Sequence, residues 1–569
     1  MVSPDDLREK DESINSIPSI NQFIINCLID QYRSQPFKRS FSLTSLVSRP
    51  YPSHTLFPHS TNRLRQSILR TDYLIILAET FDDYRSPLTQ SLPNQQLPSS
   101  SSSSSDPQPQ HSDRFTVPIF AIEASLYRLT RNSVGLIYIS KIDSTGLSPY
   151  PTPASLVTIS FLRYFLNHPI RSVKSLRIHI FARAAREGQY LFPGSASNVL
   201  NGRGDGAPSD TLGKTCGKRI LDDQQLIRWW FRVLSDLSND QQLRDHLDCF
   251  YILPGFDQHE AEAILHNVSD LSVRWNYGHP YNSIGSPVLN TTAVGVEALR
   301  AQLSDLIPCF NDDPKARFIH SLGSCSTNPS GESGDWDDAI LERDQTSLEQ
   351  DRIRETNRMN QVGVDEFWIR MGARQECCDG RVSAFFVLAF RGFNNRLKRT
   401  SQKASEGCLT DQSGTASKVN SCGTKALRDE GCVSRNVWVS LWSKIHNKDY
   451  SKLDQFSNCY KSWVDDVKSC IKSELRTNPT FSSNSTSSSS LITNLTDSKT
   501  DDTESTKNDC NQRLEQIFSE LEEEYHSEFV IEDSIEMSDE KRRLKDDGFK
   551  IEKKVNNVNT LIARKKAKK

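Results

Sequence analysis

Three low-complexity stretches interrupt the 569-residue chain and limit what it can fold into. They span residues 85–113, 194–217 and 398–432 and are rich in small or polar residues such as serine, glycine, asparagine and lysine. Such segments cannot bury enough apolar surface to offset the chain entropy lost on folding. We therefore predict one large domain over residues 17–475, with these stretches as long disordered insertions.

The two ends of the chain differ from the domain in composition. Residues 1–16 are predicted to be a flexible leader. Residues 476–569 are predicted to be a disordered tail that is first acidic, over 510–536, and then basic, ending in Arg564-Lys-Lys-Ala-Lys-Lys569. The net charge of −3 gives no overall field for nucleic acid, so only weak nucleic-acid contact through the basic ending is expected. A basic ending of this kind is also typical of a nuclear import signal.

Strand-sized apolar runs alternate with amphipathic helical patterns between the insertions. Residues 40–62 are rich in serine and proline and are predicted to be irregular. The predicted strands are 70–79, 117–128, 134–142, 176–183 and 382–390, the first three forming a meander. The predicted helices are 17–32, 155–167, 222–237, 260–267, 337–359, 364–375 and a helical hairpin over 436–475 that docks on the core.

Several function classes find little support. The 13 cysteines include no Cys-x-x-Cys pair, and no histidine cluster follows at metal-ligand spacing, so reduced intracellular thiols and no metal are expected. The first residues are charged and lack the apolar stretch of a secretory signal. The longest apolar runs, 73–78 and 382–390, are far shorter than a membrane span. A phosphate-binding loop, a zinc-protease helix, a nucleophile elbow and a kinase set are all missing.

The stretch from Asn311 to His320 carries the most concentrated ionisable chemistry. Asp312, Asp313 and Lys315 surround Pro314, and the flanks are apolar. One interpretation is a helix N-terminus, with an aspartate cap, a proline in the first turn and a helix from residue 313. The other is a pair of carboxylates whose pKa values differ because one is desolvated, as a general base near neutrality requires. The residues alone favour the helix N-terminus.

Further candidates follow predicted strands, where ligand sites are common. Arg183, Lys218 and Arg219 could meet phosphate groups, and Trp229 could cover an apolar part of a ligand. The alternatives are an ion-pair role for the arginines and a core role for Trp229 and Trp230. Adjacent helical positions point in different directions, so both tryptophans cannot face the core equally.

Several segments, in chain order, resemble the fungal chaperone-dependent histone H3 lysine acetyltransferases (the regulator of Ty transposition type), distant structural relatives of the CBP-type enzymes. The most specific is Asp312-Asp-Pro-Lys-Ala-Arg-Phe-Ile-His320. The others are Tyr138–Gly146, Ile180–Arg183, Tyr190–Ser195, Ile220–Trp230 and Phe367–Glu376. The resemblance covers roughly residues 65–475 and implies an α/β fold, a mixed central β-sheet surrounded by helices of CBP-like type.

The resemblance also implies a function and its residues. The activity is acetyl transfer from acetyl-CoA to lysines of histone H3, on the core first helix and on the tail. It implies stimulation by histone chaperones of the anti-silencing and nucleosome-assembly-protein-like classes, and a nuclear role in replication-coupled chromatin assembly and genome stability. The catalytic positions are Asp313, Asp143, Trp230 and Asp312, and Lys315 is the self-acetylated lysine. The acetyl-CoA contacts are Ile142, Asp143, Ser144, Phe181, Arg183, Ala185, Arg219, Ile220, Leu221 and Trp229.

Some positions depart from the family pattern. The turn from Pro149 to Ser155 lacks the arginines that family members carry there, so backbone amides at a helix N-terminus would have to meet phosphate. Arg219 stands where a histidine occurs in some members. The alternatives to a histone acetyltransferase are a chromatin- or chaperone-binding protein whose catalytic site has decayed, and an acyltransferase for non-histone substrates.

Overall fold

The computed structural model describes residues 18–33, 39–60, 68–82, 114–148, 150–168, 170, 172–198, 218–240, 243–265, 275–281, 302–323, 345–374, 381–391, 433–451, 453–477 and 526–531. The predicted leader 1–16, the insertions 85–113 and 398–432, and most of 194–217 lie outside these ranges. Over the ranges given, no helix combines the length and apolar character needed to cross a membrane.

A mixed β-sheet forms the centre of the fold. Its strands in chain order are β1 (Arg39–Val47), β2 (Tyr51–Pro52), β3 (Ile68–Asp82), β4 (Arg114–Leu129), β5 (Val134–Ser144), β6 (Ser175–Ala182), β7 (Leu247–Ile252), β8 (Trp275–Tyr277), β9 (Ala384–Phe390) and β10 (His526–Ile531). The spatial order is β10-β1-β3-β4-β5-β6-β9-β7-β8, with β2 paired to β3. Only β5–β6 and β7–β8 pair in parallel among these strands. The predicted α/β fold with a mixed central sheet is confirmed.

Helices surround this sheet. They are α1 (Ile20–Tyr32), α2 (Ala154–Asn167), α3 (Asp223–Ser238), α4 (Gln258–Leu265), α5 (Leu303–Leu306), α6 (Pro314–Gly323), α7 (Gln345–Asn360), α8 (Val364–Gly372), α9 (Arg435–His446) and α10 (Leu453–Thr477). Helix α2 links β5 to its parallel neighbour β6, the crossover that parallel pairing requires. The α9–α10 pair packs against itself and on β4, so the predicted docked hairpin is confirmed.

The central strands present two different faces. Tyr138 of β5 lies opposite His179 of β6, and His179 lies opposite Val387 of β9, so these side chains share one face. Phe181 and Phe385 form the next pair of that row. The alternating apolar residues of the same strands face the main hydrophobic cluster, which includes α2 and α3. Helices α5 to α8 contribute to a second cluster that contains Phe385 and lies against the Tyr138 face.

Two sequence predictions are wrong. Residues 40–62 were expected to be irregular, yet β1 extends over 40–47 and β2 over 51–52. Ser42, Thr44 and Ser45 of β1 are buried, and two of them are hydrogen-bonded: Thr44 Oγ1 lies 3.1 Å from Tyr460 Oη, and Ser45 donates to Asn21. The tail 476–569 was expected to be disordered, yet residues 526–531 form β10, antiparallel to β1. The rest of that tail beyond Thr477 lies outside the described residues.

Candidate active site

The Asp312-Asp313-Pro314 turn begins helix α6. The backbone N–H of Lys315 donates to Asp313 Oδ1 at 2.8 Å, and the Asp313 N–H donates to the Phe310 carbonyl at 3.1 Å. Asp313 is therefore an N-terminal cap, and Pro314 takes the first helical position, where a missing N–H costs nothing. The helix-start interpretation of this stretch is confirmed, one residue later than expected.

The same aspartate also forms a buried ion pair. The Lys315 ammonium donates to Asp313 Oδ2, and the side chains are 3% and 0% exposed. The Lys315 Nζ lies 4.4 Å from the ring centroid of Phe385 and 5.6 Å from that of Phe310. Burial raises the pKa of Asp313, and the Lys315 charge opposes this rise. Because water does not reach either charge, each is stabilised mainly by the other.

Asp312, the neighbouring carboxylate, has a different environment. It remains exposed, and its Oδ1 accepts a hydrogen bond from Tyr138 Oη at 2.8 Å. The protein packed around it raises the pKa of this carboxyl to about 6, and the Tyr138 hydrogen bond opposes that rise. Tyr138 is fixed by stacking on Phe310, with ring centroids 3.9 Å apart and parallel planes. The two carboxylates therefore differ in exposure, although burial raises the pKa of both, and the general-base interpretation stays a prediction.

Asp143, at the end of β5, forms the other buried ion pair of interest. Its Oδ1 accepts from Lys218 Nζ at 2.7 Å and from the Ser144 N–H at 2.8 Å, and its Oδ2 accepts from the Phe192 N–H at 3.0 Å. Lys218 Nζ also donates to Ser195 Oγ at 2.6 Å. Burial raises the pKa of Asp143 and lowers that of Lys218, while the pair's attraction opposes both shifts. Asp143 therefore holds the segment around 192–195 and residue 218 on the end of β5.

Lys218 was predicted as a phosphate contact, but its ammonium group is bound within the protein by Asp143 and Ser195. It is 6% exposed, and its Nζ lies 3.9 Å from the Tyr190 ring centroid in addition to the Asp143 and Ser195 contacts. The backbone of Lys218 also packs against Gly146, which has φ +71°; a Cβ there would lie 2.1 Å from the Lys218 nitrogen. Only glycine fits this turn, so the Thr145-Gly146 sequence sets how closely residue 218 approaches β5.

The predicted acetyl-CoA contacts fall on three neighbouring segments. The Ala184 N–H donates to Asp223 Oδ1 at 2.7 Å, which joins the end of β6 to the start of α3. The Lys218–Asp143 pair joins the end of β5 to the same start. The half-buried members are Ile142, Ser144, Phe181, Arg183, Leu221 and Trp229, and the exposed members are Ala185, Arg219 and Ile220. Ile220 is 48% exposed, which is high for an isoleucine next to an ordered helix.

Trp230 is placed differently from the other predicted catalytic residues. It is 3% exposed, packs edge-to-face on Trp229 at 4.9 Å and belongs to the main hydrophobic cluster. Phe310 and Phe385, which flank Lys315, belong instead to the third and second clusters. Asp143 lies five residues beyond Tyr138 on β5, about 16 Å along an extended strand. The geometry brings Asp312, Asp313 and Lys315 together; the convergence of Asp143 and Trp230 on them stays a prediction.

Sequence reasoning missed two residues on the Tyr138 face. Tyr138 was noted only as part of a matching segment, although it holds Asp312. His179 was read as part of a strand, but it is 3% exposed and its Nε2 has no hydrogen-bond partner within the described residues. The strand sequence Leu-Arg-Ile-His-Ile-Phe could have indicated His179, because polar side chains at alternating positions of an apolar strand fall on one face.

The side chains of the Asp312–Lys315 stretch are suited to proton transfer between groups that are partly shielded from water. A desolvated carboxylate, a hydrogen-bonded exposed carboxylate and a buried lysine lie within four consecutive residues. Over the described ranges, no group of three or more histidine, cysteine or acidic side chains could hold a metal ion. Asp312, Asp313 and Lys315 can themselves act as acids, bases and a lysine nucleophile.

A family model described as the histone acetyltransferase KAT11-type domain matches residues 160–466, which is more than half of the chain. The chain belongs to this family. The KAT11-type match contains Asp312, Asp313, Lys315 and Trp230 and begins after β5, so Asp143 lies outside it. The resemblance inferred from the sequence is thus confirmed at the level of the family.

Two curated relatives of this KAT11-type protein are fungal. It is 27% identical over 337 residues to histone acetyltransferase rtt109 of Aspergillus flavus, which covers 53% of this chain and 51% of the relative. It is 24% identical over 291 residues to histone acetyltransferase rtt109 of Schizosaccharomyces pombe, covering 49% and 58%. The chain spans about half the length of the curated relatives it matches. The crystal structure of Rtt109 from Aspergillus fumigatus matches at 20% identity and a TM-score of 0.47, over 78% of this chain and 96% of that one.

Proposed function

We propose that this protein is a histone lysine acetyltransferase that transfers acetyl from acetyl-CoA to lysine ε-amines of histone H3. The observation that carries the proposal is that the KAT11-type match contains the stretch where Asp313 and Lys315 form a buried ion pair. A structural turn would not need to bury two charges at a helix start, because burying them costs several kcal/mol per ion unless the geometry is good.

The reaction needs one proton acceptor and a site that excludes water. The substrate ammonium loses one proton to the acceptor, its nitrogen forms a bond to the acetyl carbon, and the C–S bond breaks. The second proton of the nitrogen passes to the thiolate, which leaves as CoA thiol. Asp313 is the proposed acceptor of the amine proton, because burial raises the pKa of its carboxyl group in the direction of neutral pH, where a general base works best. Asp312 and Asp143 would orient the substrate lysine and offset its charge. Trp230 would pack along the apolar stem of that lysine.

Lys315 is the proposed site of self-acetylation. While it is charged, it occupies Asp313 Oδ2, and Asp313 is then a poor base for another amine. Acetylation removes the charge and leaves Asp313 desolvated without its cation, which raises the pKa of that carboxyl further. Self-acetylation would therefore convert Asp313 from an ion-pair partner into a general base.

Acetyl-CoA is proposed to bind across the ends of β5 and β6 and the start of α3. The half-buried and exposed residues there offer an apolar surface at Ile142 and Ile220 and positive charge at Arg183 and Arg219. A partly apolar pantetheine arm and a pyrophosphate need this combination. Asp143 supports the surface by holding Lys218 and the 192–195 segment in place.

The finer assignments rest on the family resemblance. The preferred lysines would be one on the first helix of the histone H3 core and others on the H3 tail. Chaperones of the anti-silencing and nucleosome-assembly-protein-like classes would stimulate the reaction and select the lysine. The protein would act in the nucleus, in replication-coupled chromatin assembly and genome stability, with weak nucleic-acid contact through the basic tail.

The test is acetylation of H3–H4 by the full chain, with and without each chaperone. Wild type is compared with Asp313→Asn and with Asp466→Asn, a matched change in an exposed ion pair on α10. Loss of the general base should lower kcat by roughly 100-fold or more, while Asp466→Asn should leave it unchanged. A wild type as inactive as Asp313→Asn, but still binding a chaperone, would favour the decayed binding protein instead. Activity on free peptides that no chaperone increases would favour a non-histone acyltransferase.

A further inference from the structure

His179 is a buried polar group that the proposed reaction does not yet use. It lies on β6 with 3% of its surface exposed, and its Nε2 has no hydrogen-bond partner in the part of the chain that the structure describes. Leaving a buried ring nitrogen unpaired is unfavourable, because the nitrogen has lost its hydrogen bonds to water and gained none in return. By contrast Arg177, two residues earlier on the same face, donates to the Leu176 carbonyl. A buried nitrogen without a partner needs an explanation, and one explanation is a partner that is present only in another state of the protein.

His179 and Lys315 approach the same aromatic ring. The imidazole centroid lies 5.6 Å from the centroid of Phe310, and Lys315 Nζ lies 5.6 Å from that centroid as well. Phe385, which also contacts Lys315, is on the neighbouring strand β9 and on the same face as His179. Tyr281 stacks on the same imidazole, with ring centroids 6.4 Å apart. We call the space bounded by Asp313, Phe310, Phe385 and His179 the lysine chamber.

The imidazole is uncharged in this chamber. Burial lowers the pKa of His179 well below its ordinary value, and the Lys315 charge lowers it further. A neutral imidazole carries one N–H donor and one acceptor nitrogen. It therefore adds no second positive charge next to Lys315.

Acetylation of Lys315 changes the hydrogen-bond donors and acceptors that need a partner in the lysine chamber. The ammonium group offers three N–H donors, and Asp313 Oδ2 takes one of them. An acetyl amide at the same nitrogen offers one N–H donor and one carbonyl acceptor. The N–H can keep Asp313, but the carbonyl oxygen enters a space lined by Phe310 and Phe385, which donate nothing.

We propose that the Nε2–H of His179 donates a hydrogen bond to the carbonyl oxygen of acetylated Lys315, while the amide N–H keeps Asp313 as its acceptor. His179 is then a positioning residue that makes the modified state of the chamber fully paired. The inference rests on Lys315 being the acetylated residue of the proposed function, and it adds the group that receives the acetyl oxygen.

The experiment installs acetyl-lysine with a ¹³C carbonyl at position 315 by codon suppression, so that the readout does not depend on self-acetylation. The carbonyl stretch is measured by isotope-edited infrared spectroscopy in the full chain. A wild-type background is compared with His179→Leu, which has no donor, and with His179→Gln, which restores one. The expected result is a lowered frequency in wild type, a rise in His179→Leu and a return towards wild type in His179→Gln. An identical frequency in all three would overturn the proposal.

A second measurement uses acetyl-CoA and the unlabelled lysine. His179→Leu should reduce the acetylated fraction at Lys315 by roughly tenfold, and His179→Gln should recover most of it. Mass spectrometry of the Lys315 peptide gives this fraction. If wild type takes up no acetyl at Lys315 while the infrared shift is present, the proposed self-acetylation fails and the His179 contact stands. If His179→Leu does not fold, histidine ¹⁵N spectra of wild type with lysine or acetyl-lysine at 315 decide, since only the proposed bond would shift the His179 Nε2–H.

Discussion

The Lys315 ammonium is bound to the Asp313 carboxylate two residues earlier, and this ion pair is almost completely excluded from water. Removing one partner of a buried pair costs about 3–5 kcal/mol, because the other charge is left unpaired. Asp313→Asn is expected to lower the free energy of unfolding by about this amount, since asparagine keeps the helix cap and loses only the charge. Urea denaturation followed by circular dichroism measures it.

The matched control is the exposed Lys444–Asp466 pair, where Asp466→Asn should cost at most about 1 kcal/mol. A double variant, Asp313→Asn with Lys315→Met, should be less destabilised than the sum of the two single changes. Additive losses would show that the two side chains do not stabilise each other.

The Tyr138 hydrogen bond to Asp312 predicts a pH dependence. With the pKa of Asp312 at about 6, kcat/KM should rise with pH through that value as the carboxylate forms. Tyr138→Phe removes a hydrogen bond that favours the charged form, so the pKa of Asp312 should rise and the rising limb should move to higher pH. Asp312→Asn should abolish the limb. The measurement is a pH profile of kcat/KM on H3–H4, with Tyr164→Phe on α2 as the control tyrosine.

The same raised pKa acts on stability. The folded protein holds the Asp312 proton more tightly than the unfolded chain does, so its contribution to stability is present at low pH. That contribution is lost as pH rises from the ordinary carboxyl value of about 4 through about 6. Denaturation midpoints measured from pH 4 to 7 should therefore change less in Asp312→Asn than in wild type. A denaturation midpoint that changes more with pH in Asp312→Asn than in wild type would contradict the raised pKa of Asp312.

Lys218 is predicted to control acetyl-CoA binding without touching the reacting atoms. Lys218→Met leaves Asp143 with only its two backbone donors and releases the contact to Ser195. The end of β5 should then lose its connection to α3, and we expect the Kd for acetyl-CoA to rise by roughly tenfold or more. Isothermal titration of the full chain tests this. Lys174→Met, at an exposed lysine before β6, should leave the Kd unchanged. Equal Kd values for both variants would remove Asp143 and Lys218 from the cofactor surface.

Ile220 offers a cleaner test of the same surface. Because it is 48% exposed, Ile220→Ala should change the free energy of unfolding by less than about 0.5 kcal/mol. If its side chain packs on acetyl-CoA, however, the KM for acetyl-CoA should rise roughly tenfold. Ile369→Ala, on α8 and 76% exposed, is the matched control and should leave the KM as it is. A KM that Ile220→Ala does not alter would place the cofactor elsewhere.

Much of the fold could be predicted because apolar periodicity reports burial directly. The strands around Ile75, Ile122, Ile137 and Ile178 and helix α3 all appear where their patterns indicated. β1 was missed because its apolar residues alternate poorly and three of its buried side chains are Ser42, Thr44 and Ser45; the Thr44 hydroxyl is paired by a distant residue, Tyr460. No local pattern reveals a partner more than 400 residues away.

The sequence indicated which residues form the candidate site better than it indicated which of their side chains contact one another. The sequence places Asp312, Asp313 and Lys315 together, and their contrast in solvation depends on which side chain turns towards the sheet. Asp143 and Lys218 were separate candidates because 75 residues divide them, and only the fold shows that they form one ion pair. His179 escaped notice because it was read only as part of a strand, although Arg177 and His179 are two residues apart and therefore fall on one face.

The pairing of β10 with β1 has a consequence for biosynthesis. Thr44 and His526, which face each other across these strands, are separated by 482 residues. Domains begin to fold as the chain leaves the ribosome, so β1 and β3 can pair long before their outer neighbour has been translated. Until then the free edge of β1 presents unpaired backbone groups to any extended peptide nearby. The nascent protein therefore passes through a stage in which its growing sheet is open on one side, and a chaperone that shields extended edges would be most useful to it at that time.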